Sequence, residues 1–337
     1  MARRASVSLI YAGVDISKDI APDFEGFSYK EVAEGSADSL QLTLQNRDLK
    51  WMGSWLPVPG DKISASITQY DWSTPGEVKT LNCGSLQVDS PTFSGPFDII
   101  SLNALNIPAA EGFNDAPQDT AWESITMSQL GQLIATRYNM QFVYDAPVDF
   151  IVKALKRTQQ TDASLLDSTC KKYNLCLKVY SNKLVIYSKA QYEQNSPVAT
   201  ITYGSSNISS YTFASPIVGT GFNAVTINYK PVKSKVMRQY EFRIAPGGKS
   251  MILQESADDD EQAEMIAKGK LREANEKAIT GSFNLALDLD FVAGATFMVV
   301  GFGKFDGKFF IDTCDHDYGK GAGSTNITFH RCLDGGY

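Results

Sequence analysis

The sequence predicts a mainly β (α+β) protein, with two related antiparallel β-barrel domains and an α/β insertion between them. Three observations lead there. Most segments alternate apolar and polar residues. Two amphipathic helices and a tight hairpin cluster between about residues 106 and 195. The stretches on either side of that cluster resemble each other in the order of their motifs.

Val7-Ser8-Leu9-Ile10-Tyr11, Leu40-Gln41-Leu42-Thr43-Leu44 and Lys62-Ile63-Ser64-Ala65-Ser66-Ile67 carry the period-2 pattern of a sheet with one buried face. Arg3 and Arg4 ahead of Val7–Val14 have the look of a short signal peptide, but Ser8 and Asp15 interrupt the apolar run. An amphipathic first strand fits better than a secretory h-region. In the middle, Leu175–Tyr180 and Leu184–Tyr187 flank Ser181-Asn182-Lys183, a hairpin signature.

Leu130, Leu133, Ile134 and Tyr138 recur at helical spacing. Thr161 is a fitting N-cap for a helix striped by Leu165, Leu166, Cys170 and Tyr173. A third helix is expected at about 257–278. Ser256 and Asp259 suggest a capping box, and Ala263, Ile266, Ala267, Leu271 and Ala274 make a narrow apolar face. Glu264–Lys268 and Glu273–Lys277 are supportive i,i+4 pairs. The acidic run Asp258-Asp259-Asp260-Glu261 suits the helix dipole better than a calcium site.

The repeat rests on ordered matches. Tyr29 ahead of Leu42-Thr43-Leu44 parallels Tyr211 ahead of Val225-Thr226-Ile227. Gly60 and Gly294 each open a strand. Gly84–Ser90 and Gly307–Thr313 both read Gly-x-apolar-x-apolar-Asp-Ser/Thr. Asp98-Ile99-Ile100 with Ala104-Leu105 parallels Asn326-Ile327-Thr328 with Cys332-Leu333. Residues 1–105 are therefore expected to form the first β-barrel domain and 106–195 the α/β insertion. Residues 196–337 form the second barrel, which carries the third helix.

Composition narrows the chemistry. The 337 residues include 31 Lys and Arg against 38 Asp and Glu, a net charge of −7, which disfavours a dedicated duplex-DNA binder. Two histidines and five cysteines leave little for metal or acid–base catalysis. Cys83, Cys170, Cys176, Cys314 and Cys332 fit small core thiols made in a reducing compartment. The sequons at Asn207 and Asn326 mean nothing without a secretory signal. No segment has the apolar length of a membrane span.

Cys314-x-His316 and His330-x-Cys332 could offer two zinc ligands per strand, but an odd strand register turns the pairs to opposite faces. Core cysteines and a hydrogen-bonded histidine are the expectation. Gly319-Lys320-Gly321-Ala322-Gly323-Ser324-Thr325 has the wrong order for a phosphate loop and reads as a hairpin tip. Gly301-Phe302-Gly303 with Gly307 does not complete a dinucleotide fingerprint. Carboxylate pairs such as Asp288/Asp290 and Glu31/Glu34 are not singled out by any cleft signature. No catalytic, cofactor-binding or metal-binding residue is assigned, and no enzyme activity is expected.

Two runs carry a family resemblance. One is Thr126–Val143, followed by Thr161-Asp162-Ala163-Ser164-Leu165-Leu166 and the hairpin to Tyr187. The other runs from the Glu261–Lys277 helix through Gly294, Val299-Val300-Gly301 and Gly307–Ile311 to His316. It ends in the Gly-rich turn and Asn326-Ile327-Thr328-Phe329. This order resembles the baseplate hub family of contractile phage tails. That family includes late control protein D, Mu-like tail hubs and the N-terminal half of VgrG spike proteins. The resemblance implies two tube-like barrels per chain and a homotrimer that joins a sixfold tail tube to a threefold spike. It implies as partners the spike protein, a tail tube or tube-initiator protein, a tape-measure protein and baseplate wedge proteins. Neither specific nucleic-acid binding nor membrane insertion by this chain is implied. The place is the tail baseplate of a phage, an R-type bacteriocin or a related injection particle. No spike domain follows Tyr337, so a separate spike is expected. Negative charge suits a lumen that repels passing DNA. The alternative is a tail-associated cell-wall hydrolase or a receptor-binding β protein.

Overall fold

A computed structural model describes residues 4–335 and 337, except 36, 73, 97, 107–111, 232–233 and 320–321. Arg3, Lys320 and Gly321 thus lie outside the described residues. The first stretch holds β1 (Arg4–Tyr11), β2 (Val14–Asp15), α1 (Ser17–Ile20), β3 (Phe24–Val32), β4 (Ser39–Gln45), β5 (Lys62–Tyr70), β6 (Val78–Ser94) and β7 (Ile99–Leu105). The middle holds β8 (Gln118–Thr126), α2 (Met127–Arg137), β9 (Gln141–Asp145), β10 (Ile151–Gln160), α3 (Asp162–Lys172), β11 (Cys176–Tyr180), β12 (Lys183–Tyr187) and α4 (Lys189–Tyr192). Then come β13 (Thr200–Thr202), β14 (Ile208–Ala214), β15 (Phe222–Tyr229), β16 (Arg238–Arg243), β17 (Lys249–Gln254), α5 (Asp260–Glu276), β18 (Thr280–Ala286), β19 (Thr296–Val300), β20 (Gly307–Gly319) and β21 (Ala322–Arg331).

Strands of the first and last stretches form one 13-stranded sheet in the order β14-β18-β21-β20-β3-β4-β7-β6-β5-β1-β2, with β19 on β20 and β13 on β19. The protein is mainly β, as expected. The two barrels are not seen as such: among the described residues the sheet stays open and runs on from one stretch into the other. The seam is β20 on β3, where Thr313 pairs with Val32 and His316 with Tyr29. Each side of the seam has its own core. One is built on Leu9, Leu42, Ile63 and Leu102, the other on Phe283, Phe297, Phe309 and Phe329. Alternation places them there: Leu40, Leu42 and Leu44 are buried while Gln41 is exposed.

The two stretches share a strand order, β3-β4-β7-β6-β5-β1 against β14-β18-β21-β20-β19-β13. They differ at one end, since β1 lies antiparallel to β5 and β13 parallel to β19. Gly84–Ser90 lies on β6 and Gly307–Thr313 on β20, and each carries a register shift at its Asp, between Val88 and Ser90 and between Ile311 and Thr313. A β-bulge at the same place in both copies of a motif is a specific likeness. Gly60 and Gly294 match in the same way. Gly60 N–H bonds Val88 O at 2.8 Å and Gly294 N–H bonds Ile311 O at 2.9 Å. Both sit at positive φ, +93° and +88°, where a side chain is strained.

Three sequence matches need correction, the first being Tyr29, whose counterpart through the strand ladders is Phe213 and not Tyr211. Val225-Thr226-Ile227 is not the partner of Leu42–Leu44. It lies on β15 in a separate sheet, β16-β15-β17, and β18 takes the place of β4. On the last strand Leu102, not Ile99, stands where Ile327 does, because the shared bulge fixes the register.

The middle folds around α2 and α3. Thr126 caps α2 in a capping box with Gln129, and Thr161 caps α3. In α2 the stripe is shifted from the expected one. Leu133 is 42% exposed, and Gly131 is buried where any Cβ would strike Phe142 at 2.3 Å. Ser181 and Asn182 take positive φ in the hairpin turn, the type I′ geometry that matches strand twist.

The third helix departs most from expectation. Its cap is Asp259, whose carboxylate accepts from Gln262 N–H at 3.0 Å, so Ser256 is not the cap. Its buried face does not pack into the second β core. Ala263, Ile266, Ala267 and Leu271 join Val225 and Ile227 of β15 in the core of the middle segment, with Leu130, Leu165 and Ile186. The excursion β15–α5 thus leaves the second stretch between β14 and β18 and completes the middle core. Among the described residues no helix is long and apolar enough to cross a membrane.

Candidate functional site

A buried charge network lies where the three segments meet. The β3–β4 turn brings Glu34, and β11 begins with Cys176. The chain around α4 brings Lys189 and Glu193. Helix α5 brings Arg272 and Glu276. The bulge on β20 brings Asp312, and β21 brings His330. Lys189 Nζ bonds Glu34 at 2.6 Å and Glu276 at 3.1 Å. Arg272 pairs with Glu193, with Glu276 at 2.8 Å, and donates to Tyr337 O at 3.0 Å. His330 bonds Glu193 at 3.0 Å through Nε2 and Asp312 at 2.8 Å through Nδ1. Leu333 N–H adds a bond to Glu193 at 3.0 Å.

Burial works against a charged His330 ring, but the hydrogen bonds to Asp312 and Glu193 overcome it and raise its pKa to about 9. Burial also opposes charge on Lys189, and the carboxylates of Glu276 and Glu34 outweigh it, so its pKa is raised. Glu193 and Glu34 are lowered in spite of burial, by His330 and Arg272 and by Lys189 respectively. Glu193, Glu276 and His330 offer ligand atoms within 4.8 Å of one another. A metal there would meet Arg272 and a protonated His330, which already answer those carboxylates. Removing one member of such a network is costly because it strands a buried charge.

This network has a pH signature. His330 binds its proton more tightly folded than unfolded, so its stabilisation is complete below about pH 6.5 and lost as pH rises toward 9. We expect His330 to account for a loss on the order of 3 kcal/mol across that window, on top of what the buried thiols lose as their unfolded forms ionise. His330→Gln should start less stable at pH 6 and lose much less. Urea unfolding at pH 6, 7.5 and 9 is the check, and equal losses in both proteins would exclude His330 as the group.

A cleft of 720 Å³ adjoins the network, lined in part by Glu34, Cys176, Lys189, Arg272 and Glu276. It does not assemble a nucleophile. Burial pushes the Cys176 thiol well up, and Glu34, which accepts its hydrogen bond at 2.6 Å, adds to the shift. The thiolate that would react is thereby suppressed.

The residues singled out in the sequence are dispersed. Cys314 pairs with Ile327 and His316 with Thr325, the odd register. Cys314 and His316 face the second core, and His330 faces the charge network. His316 bonds Phe291 O and Thr325 Oγ1, each at 3.1 Å, and burial drives its pKa down to about 4. Cys83, Cys170, Cys176 and Cys314 are buried free thiols, and Cys332 is half-buried. Glu31 accepts from Ala293 N–H at 3.1 Å across the seam, whereas Glu34 belongs to the network. Asp290 pairs with Lys79 at 2.7 Å. Gly301, Gly303 and Gly307 flank a short turn ahead of β20. Of the Gly-rich tip, Gly319 ends β20 and Ala322 begins β21.

Sequence reasoning missed the network. Its members are separated by 79 residues for Glu193–Arg272 and 137 for Glu193–His330, and no local pattern links them. A second buried ion cluster, Asp162 with Arg137, Arg157 and Tyr138, was missed for the same reason.

No family model and no curated protein matches the chain. Solved structures do. A tail protein from Neisseria meningitidis MC58 aligns at TM-score 0.72 and 14% identity, over 98% of this chain and 97% of that one. The fold is that of phage tail proteins. A 43 kDa tail protein of prophage MuSo2 from Shewanella oneidensis shares this tail-protein fold at TM-score 0.69 and 12% identity, over 97% and 98%. An E. coli protein described as a type VI secretion component, with structural similarity to the T4 tail proteins gp27 and gp5, aligns at 0.58 and 10% identity over 94% and 75%. The resemblance to tail hub proteins therefore holds at the level of fold, and the tail-protein fold runs through nearly the whole chain.

Proposed function

We propose that this chain is a structural, non-enzymatic baseplate hub of a contractile tail, and that three copies join a sixfold tail tube to a threefold spike. One observation carries the reading: the shared strand order and matched bulges of the two β stretches, joined edge to edge within one chain. Residues 1–105 and 196–337 each supply one tube-like unit, and the second sends out β15–α5 to share the core of 106–195. Two like units per chain give six in a ring of three, which is what adaptation between sixfold and threefold partners requires. The tail-protein fold supports a place in the particle, with spike, tube, tape-measure and wedge proteins as neighbours. The charge network suits a rigid joint between units under load.

A symmetric reconstruction of the assembled particle is the test. Three copies around the tail axis, between tube and spike, is the expected result. Six copies per ring, or a position off the axis, would overturn the hub reading.

A further inference from the structure

The seam inside the chain specifies where a second copy docks. On β20, residues 307–310 pair with β19 and residues 313–319 pair with β3. On β6, pairing with β5 ends at Gln87, while Ser90–Ser94 continue to pair with β7. Among the described residues the other edge of Asp89–Ser94 is open. So is the outer edge of β14, which pairs with β18 alone. These open edges occupy the places of the two strands that meet at the seam.

The registers fix the correspondence residue by residue. Tyr29 pairs with Leu40, Leu40 with Ala104 and Ala104 with Val88. Phe213 pairs with Gly281, Gly281 with Phe329 and Phe329 with Ile311. Tyr29 therefore stands where Phe213 does, and Val88 where Ile311 does. The internal pair Tyr29–His316 then translates to Phe213 of one copy opposite Phe93 of the next, and Lys30–Asp315 to Ala214 opposite Thr92.

We infer that β14 of one copy pairs antiparallel with Asp89–Ser94 of the next, repeating the β3–β20 seam between chains. Exposure agrees. Tyr29 and Phe27 are buried at the internal seam, whereas Tyr211, in the place of Phe27, is 45% exposed and Ile217, just past β14, is 79% exposed. A second contact points the same way. The chain after β18 crosses the internal seam, so that Leu287 and Leu289 enter the first core and Leu287 O accepts from Gln69 at 2.7 Å. The corresponding chain after β4 leaves Leu49, Met52, Trp55, Leu56 and Val58 38–55% exposed. Such a patch is more than scattered surface apolars and fits the neighbouring copy's second unit.

Pro91 shapes the joint. Ala33 N–H bonds Asp312 O at 2.9 Å, which makes Cys314–Glu31 a hydrogen-bonded pair, and Pro91 stands in the place of Cys314. Pro91 has no N–H to give, so the joint between chains lacks one bond that the internal seam has. The same proline guards the free edge against indiscriminate pairing. The joint is head-to-tail and closes only as a ring. That the ring holds three copies rests on the hub reading.

Thr92→Cys with Ala214→Cys tests the joint. The two positions translate a non-hydrogen-bonded pair, whose Cα atoms approach to about 4.5 Å, close enough for a disulfide. Both are exposed, so melting curves should match wild type. On mild oxidation of assembled particles, the double variant should move largely to a covalent trimer on a non-reducing gel. Each single variant and wild type, with its own cysteines, should run as monomer. A three-copy ring in reconstruction without cross-link would overturn the joint and leave the hub reading standing. A cross-linked ladder ending at another number would keep the joint and discard the threefold count. Monomer bands from particles with no ring would overturn both.

Discussion

Replacing Arg272 with methionine should destabilise the chain by about 3–5 kcal/mol, the usual result of removing one partner from a buried ion pair. Arg272 is 2% exposed, and its guanidinium answers both Glu193 and Glu276. Methionine keeps most of the side-chain volume, so packing loss is small and the effect isolates the charge. Without Arg272, Glu193 keeps His330 and Glu276 keeps Lys189, which sets the loss near the lower end of the range. The comparison is Lys268→Met on the same helix, whose partner Glu264 is 2.7 Å away but well exposed. That change should cost less than about 1 kcal/mol. Urea midpoints at pH 7 measure both. Equal small shifts would show that the network does not bear on stability.

Arg272 also marks the limit of what the sequence reveals. Strand positions are legible where one face is buried, because apolar residues then recur every second position. Leu40–Leu44 and Ile63–Ile67 are read correctly for that reason. The Gly-x-apolar-x-apolar-Asp motif is legible because a bulge needs particular residues at a fixed place, and both copies hold one. The helix α5 is legible as a helix but not in its location. Periodicity says that Ala263, Ile266 and Leu271 face something apolar, and it does not say what. The inserted sheet on which they pack, β15–β17, resembles any other strand run, so Val225–Ile227 shares the pattern of Leu42–Leu44 while lying in another sheet. The same rule hides the charge network. Gln262, Arg272 and Asn275 are buried on the face of α5 that periodicity would leave to apolar residues. Their partners come from β10, from β15, from Glu193 just after α4 and from the chain end. Nothing within a helix turn announces a carboxylate that arrives from 79 residues away.

Leu271→Asp is expected to be the most damaging single change, and the position of its damage is as informative as its size. Leu271 is fully buried in the core that α5 shares with β15, α2 and α3. Removing the leucine side chain from that core forfeits about 2–3 kcal/mol of apolar burial. Aspartate then places a carboxyl in the apolar core that holds Val225, Ile227 and Leu165. The group will take up a proton rather than stay charged, which still leaves an unsatisfied polar group worth a further 1–3 kcal/mol. A total of about 4–5 kcal/mol is comparable with the whole stability of many domains. Were α5 packed on the second β stretch, the damage would fall on Phe283, Phe297 and Phe329. Since its core is the middle one, amide hydrogen exchange should accelerate in 113–187 and 222–276. β18 to β21 should keep their protection, because they rest on a separate aromatic core. Loss of protection confined to β18–β21, or a melting curve equal to wild type, would show that the helix does not hold the middle segment together.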